Sequence, residues 1–67
     1  MNIIREKVDY LLAVQALTQA ELAVRSGISP QSLSAVLRRG TCEPRTAGRL
    51  AAGLGVPVQE IIGEGRG

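Results

Sequence analysis

Apolar residues recur along this chain at the three- and four-residue spacing of helices, in clusters separated by short stretches of glycine, proline, serine and threonine. Ile4, Val8, Leu11 and Leu12 share one helical face and predict a first helix over about residues 2–14. A second helix is expected over 19–26 and a third over 30–38, the latter with Leu33, Val36 and Leu37 as its buried stripe. The loop 39–43 leads to Pro44, which opens a fourth helix with Ala47, Leu50, Ala51 and Leu54 facing inward. Gly55 ends it, Val56 packs back, and Pro57 starts a short fifth helix with Val58, Ile61 and Ile62. No strand is expected. Gly48 and Gly53 each weaken helix four by about 1 kcal/mol relative to alanine, and either permit close helix contact or reflect weak optimisation.

The punctuation between the second and third helices is dense. Thr18 and Glu21 have the spacing of a capping box, and Leu17 and Leu22 flank it as a hydrophobic staple. Gly27 suits the left-handed conformation that closes a helix. Ser29 then caps the next helix, Pro30 takes its first position, and Ile28 with Leu33 repeats the staple. Ala23 is small where a second helix has to cross closely. Two short helices joined by so tight a turn cross steeply, which is the arrangement of a DNA-binding helix-turn-helix. An ordinary helical hairpin is the alternative, but it would carry longer apolar stripes on both helices.

Sixty-seven residues allow one domain, expected over 1–62, with a flexible tail at 63–67. At this size roughly 60% of the unfolded surface is buried, close to the minimum for an independent core. One cysteine, Cys42, excludes an internal disulfide, and the lack of histidine removes the usual zinc pairings, so neither metal nor cofactor is expected. Cys42 reads as a loop thiol in a reducing compartment. Tyr10, the only aromatic residue, is expected at the edge of the first helix with its hydroxyl in water. No run of apolar residues is long enough for a membrane span or a signal peptide, which points to a cytoplasmic protein.

A net charge of +2 says little, but its distribution says more. Arg25, Arg38, Arg39, Arg45 and Arg49 face one acid, Glu43, giving +4 between residues 25 and 49, while the rest of the chain carries −2. A solvated arginine face is common. Its coincidence with the helix-turn-helix favours phosphate contact.

The chain resembles the Cro/phage-repressor, or XRE-type, helix-turn-helix regulators. The resemblance rests on Thr18-Gln19-Ala20-Glu21-Leu22-Ala23, Ser26-Gly27-Ile28-Ser29, Leu33-Ser34, Gly40, Pro44 and the run from Leu50 to Val56, and spans about residues 3–62. It implies an all-α, compact five-helix lambda-repressor-like domain and a transcriptional regulator, a repressor acting as a homodimer on a double-stranded DNA operator. In such proteins the residues matching Gln31, Ser32 and Ala35 read bases, Gln19 binds a phosphate, and the loop before helix four adds backbone contacts. Two departures fall at the loop: Leu37 replaces a frequent glutamate, and Gly40 comes one residue later than usual.

The side chains divide into two jobs. A glutamine amide donates and accepts together, matching adenine, so Gln31 is the first choice for base reading. Ser32 and Ser34 suit bases or phosphates, and Ala35 suits a thymine methyl. Thr18, Gln19, Arg38, Arg39, Thr41 and Arg45 are the expected phosphate contacts. Val58, Ile61 and Ile62 are the expected dimer surface, or else close the core. A protein-interaction module of antitoxin or antirepressor type is the alternative, because fold does not fix function. No catalytic constellation or small-molecule site is evident in the sequence.

Overall fold

The computed structural model describes residues 1–63 and places four α-helices in them: α1 (Arg5–Gln15), α2 (Gln19–Ser26), α3 (Pro30–Arg39) and α4 (Pro44–Leu54). A single 3-10 turn, Val58–Glu60, follows. The expected fifth helix is therefore only this turn. Pro57 does precede it, but Ile61 leaves helical geometry at φ −121° and ψ −4°. The fully buried Ile61 side chain and the pairing of Ile62 with Ile3 then draw the chain into an extended path.

The start of α1 also differs from expectation. Residues 2–4 are not helical: Asn2 and Ile3 form isolated antiparallel bridges with Thr41 and Ile62, and Ile4 is extended at φ −90° and ψ 102°. Adjacent β-branched side chains favour extended backbone, and here that preference wins over the helical spacing of Ile4 and Val8. Among the described residues there is no strand longer than these bridges.

Local signals set the remaining boundaries. The Thr18 hydroxyl accepts from the Glu21 N–H at 3.1 Å, and the Thr18 N–H donates to Glu21 Oε1 at 2.8 Å, completing the capping box of α2. Ser29 Oγ accepts from the Ser32 N–H at 3.0 Å, and proline opens both α3 and α4. Three helices close alike, with a left-handed residue at the end and the next N–H donating five residues back: Leu17 to Leu12, Ile28 to Ala23 and Val56 to Ala51. Gly27 and Gly55 fill that position in two of them. In α1 it is Ala16, at φ 57°.

A side chain in the left-handed region costs about 1–2 kcal/mol, part of which glycine gives back through its freedom in the unfolded chain. Ala16→Gly should therefore stabilise the fold by about 0.5–1 kcal/mol. The check is urea unfolding: a midpoint that rises at unchanged slope is expected, and one that falls would assign Ala16 a packing role.

Packing centres on α2 and α4. Leu22, Leu33, Leu50 and Ile61 are completely buried, with Val8 of α1 closing the other side. Leu33, Val36 and Leu37 of α3 and Ala47, Leu50, Ala51 and Leu54 of α4 all face inward, as their spacing predicts. The two helical glycines differ in kind. A Cβ on Gly53 would press on the Ser26 hydroxyl and lie 3.2 Å from both Leu22 Cδ1 and the Ser26 backbone nitrogen. Gly53 is thus what lets α4 approach α2. Gly48 faces open space and supports no contact. The Gln15 amide donates to the Leu54 carbonyl at 2.6 Å, tying the end of α1 to the last turn of α4.

Gly63, expected in the flexible tail, donates its N–H to the Asn2 carbonyl, and residues 64–67 lie outside the described residues. Ile61 lies wholly in the core, while Val58 and Ile62 are half-buried and packed against it. Ile61 thus closes the core, the second of the two readings its place in the sequence allowed, while Val58 and Ile62 keep part of their surface exposed. Tyr10 is mostly exposed on α1.

Candidate nucleic-acid interface

The turn at Gly27 presents α3 with a sharply two-sided character. Its inner stripe is buried, and Gln31, Ser32, Ser34, Arg38 and Arg39 are exposed. Residues three and four apart on a helix are neighbours, so the outer surface divides into two rows. In the row Gln31, Ser34 and Arg38 every side chain is exposed. Ser32, Ala35 and Arg39 form the other, and line a shallow groove with Ile28, Val36, Cys42, Glu43 and Thr46. Ala35 is half-buried, so only part of its methyl reaches the surface.

Several polar side chains are preset by their caps. Ser29 donates its hydroxyl to Ser32 Oγ at 2.9 Å, which leaves the Ser32 hydroxyl proton available to another acceptor. The Thr18 hydroxyl accepts from its helix and keeps its own proton to donate. Gln19 is exposed on the first turn of α2.

The loop after α3 turns at Gly40, φ 78°, and brings Thr41 out beside Arg38 and Arg39 in sequence, with Arg45 exposed on the first turn of α4. Among the described residues the one ion pair is Arg5–Asp9 in α1, at 3.6 Å. Arg25, Arg38, Arg39 and Arg45 are in none, so their charge is not neutralised by carboxylates there. Glu43 precedes α4 without making a side-chain cap bond.

Two features had no clear signal in the sequence. Arg49 extends a guanidinium N–H to the Gly27 carbonyl at 3.5 Å, a long contact that braces the turn between α2 and α3 from α4. Cys42 lies half-buried in the groove, where burial pushes its thiol pKa up from the ordinary value. At neutral pH it stays a protonated, weakly nucleophilic group, consistent with a plain loop thiol.

No helix among the described residues is long and apolar enough to cross a membrane. No curated protein and no solved structure matches the chain. The model of the Cro/C1-type helix-turn-helix family does, over residues 15–61, from the last residue of α1 to the core isoleucine after the 3-10 turn. With the capped α2, the glycine turn and the two-sided α3 all inside that match, the chain belongs to the Cro/C1-type helix-turn-helix family of DNA-binding regulators.

Proposed function

We propose that this protein is a sequence-specific regulator of transcription, a repressor, that lays α3 in the major groove of double-stranded DNA. The observation that supports it most is the exposed row Gln31, Ser34 and Arg38, flanked by arginines that no carboxylate of the described residues neutralises. Gln31 reads an adenine through its amide, and Ser32, Ser34 and the exposed part of Ala35 contact neighbouring base edges. Thr18 and Gln19 meet one phosphate run from the start of α2, and Arg38, Arg39, Thr41 and Arg45 meet another. Such a footprint gives limited affinity from one subunit. A homodimer on two half-sites about one helical turn apart is the arrangement we propose.

Salt dependence tests the phosphate contacts. Arg38→Ala and Arg45→Ala should each weaken binding to all sequences alike and lower the slope of log affinity against log salt by about one unit. Binding measured by anisotropy across a salt series decides it. Wild-type slopes in both variants would place the phosphate contacts elsewhere.

A further inference from the structure

Residues 1–4 form a strap that is bonded on both edges. On one edge the Ile3 N–H donates to the Gly40 carbonyl at 2.8 Å, and the Cys42 N–H donates to the Met1 carbonyl at 3.0 Å. On the other, the Ile4 N–H donates to the Ile61 carbonyl at 2.8 Å, and the Gly63 N–H donates to the Asn2 carbonyl at 3.0 Å. Ile3 and Ile4 thus send consecutive N–H groups to opposite sides, as the central strand of a sheet does. The Ile3 side chain is buried in the core and anchors the strap from below.

Thr41 sits between the two loop residues that the strap holds, and its own side chain is exposed. We infer that the strap is a positioning element: it fixes Thr41 for phosphate contact and couples the loop 40–42 to residues 61–63. The positioning half of this rests on the DNA-binding reading, whereas the coupling does not. A loop that is already ordered avoids the entropy cost of ordering on binding, and so contributes more affinity per contact. Because one extended segment carries both sets of bonds, loosening the edge at 61–63 also loosens the edge at 40–42.

Ile4→Pro tests this in the full chain. It removes the N–H that donates to Ile61, at a helix-capping position whose φ of −90° lies near the proline range. The bonds on the loop edge are left chemically intact. Amide exchange of Ile3 and Cys42 should accelerate at least about tenfold, while the helix amides of Leu50 and Leu54 keep their protection. Binding to a random-sequence duplex should weaken several-fold with a nearly unchanged salt slope, because the hydroxyl of Thr41 is neutral and releases no counterion. Thr41→Ala should then cost far less in this background than in wild type.

Unchanged Cys42 exchange overturns the coupling. Faster exchange with an unchanged affinity for the duplex overturns the positioning role. If the amides of α4 also lose protection, the variant has unfolded, and Gly63→Pro takes its place. That change removes the bond to Asn2, and its Cβ would lie 3.2 Å from the Ile4 side chain, at Cδ1 and Cγ1. The same two readouts then decide. If wild type shows no salt-dependent binding to the duplex, the DNA reading fails and the positioning role with it, while Cys42 exchange still decides the coupling.

Discussion

Gly53→Val is expected to cost about 3 kcal/mol, at the upper end of the usual range for overpacking a core. Its Cβ alone would meet the Ser26 backbone nitrogen and Leu22 Cδ1 at 3.2 Å, and the Ser26 hydroxyl closer still. The hydroxyl can rotate away, but backbone nitrogen cannot, so α4 would have to move off α2. For a chain of this size total stability is roughly 3–10 kcal/mol, so the loss removes between about a third and nearly all of it. Gly48→Ala, five residues earlier on the same helix, should instead stabilise by about 1 kcal/mol, because it gains helix propensity and meets nothing. Denaturant midpoints of the two variants should move in opposite directions. Equal shifts would mean that Gly53 does not set the helix separation. Ser26→Ala in the Gly53→Ala background should recover part of that variant's loss, since the Ser26 hydroxyl is buried and has no hydrogen-bond partner among the described residues.

Gln31→Ala should cost about 1–3 kcal/mol of binding on the preferred site and relax the choice at one base pair per half-site. Gln31 is exposed on the first turn of α3, and it is the one side chain before Arg38 on that surface able to make a bidentate contact with a base. Nonspecific affinity should be nearly unchanged, and so should thermal stability, because an exposed glutamine gives way to a better helix former without leaving a cavity. Selection from a random duplex pool, followed by titration of the best site and its single-base variants, measures both. A variant that discriminates as well as wild type would move base reading to the row formed by Ser32, Ala35 and Arg39.

The parts of the fold that were legible in the sequence are those whose causes are local. Thr18 with Glu21, Ser29 with Pro30, and Gly55 each act on residues within a turn of themselves, and the starts of α2 and α3 and the end of α4 follow from them. The inward stripes of α3 and α4 were readable because burial there repeats with the helix. Residues 2–4 were not. Ile4 and Val8 fit a helical face as well as Ile3 and Ile4 fit an extended one, and the partners that decide between them lie at the loop 40–42 and at 61–63. Ile61 illustrates the same limit, since an apolar residue after Pro57 suits a surface or a core equally until packing chooses. Ala16 gave no sign of a left-handed turn because alanine usually avoids one.

At the site, the exposure of Gln31, Ser32 and Ser34 follows from periodicity alone. That Ala35 is partly covered, and shares a groove with Cys42 and Thr46, depends on where α4 begins in space, which no spacing within α3 encodes.

The strap at residues 1–4 also bears on the order in which the molecule assembles. α2, α3 and their turn are contiguous, and α4 follows directly, so their contacts close short loops. The strap instead joins opposite ends of the chain, and its bonds to 61–63 close nearly the longest loop available. Contacts of that kind form late, after the helices have provided a surface to dock on. Weakening them leaves the folding rate almost unchanged and raises the unfolding rate. On that account, loosening the strap should shorten the lifetime of the folded state, and of the loop that carries Thr41, more than it slows folding.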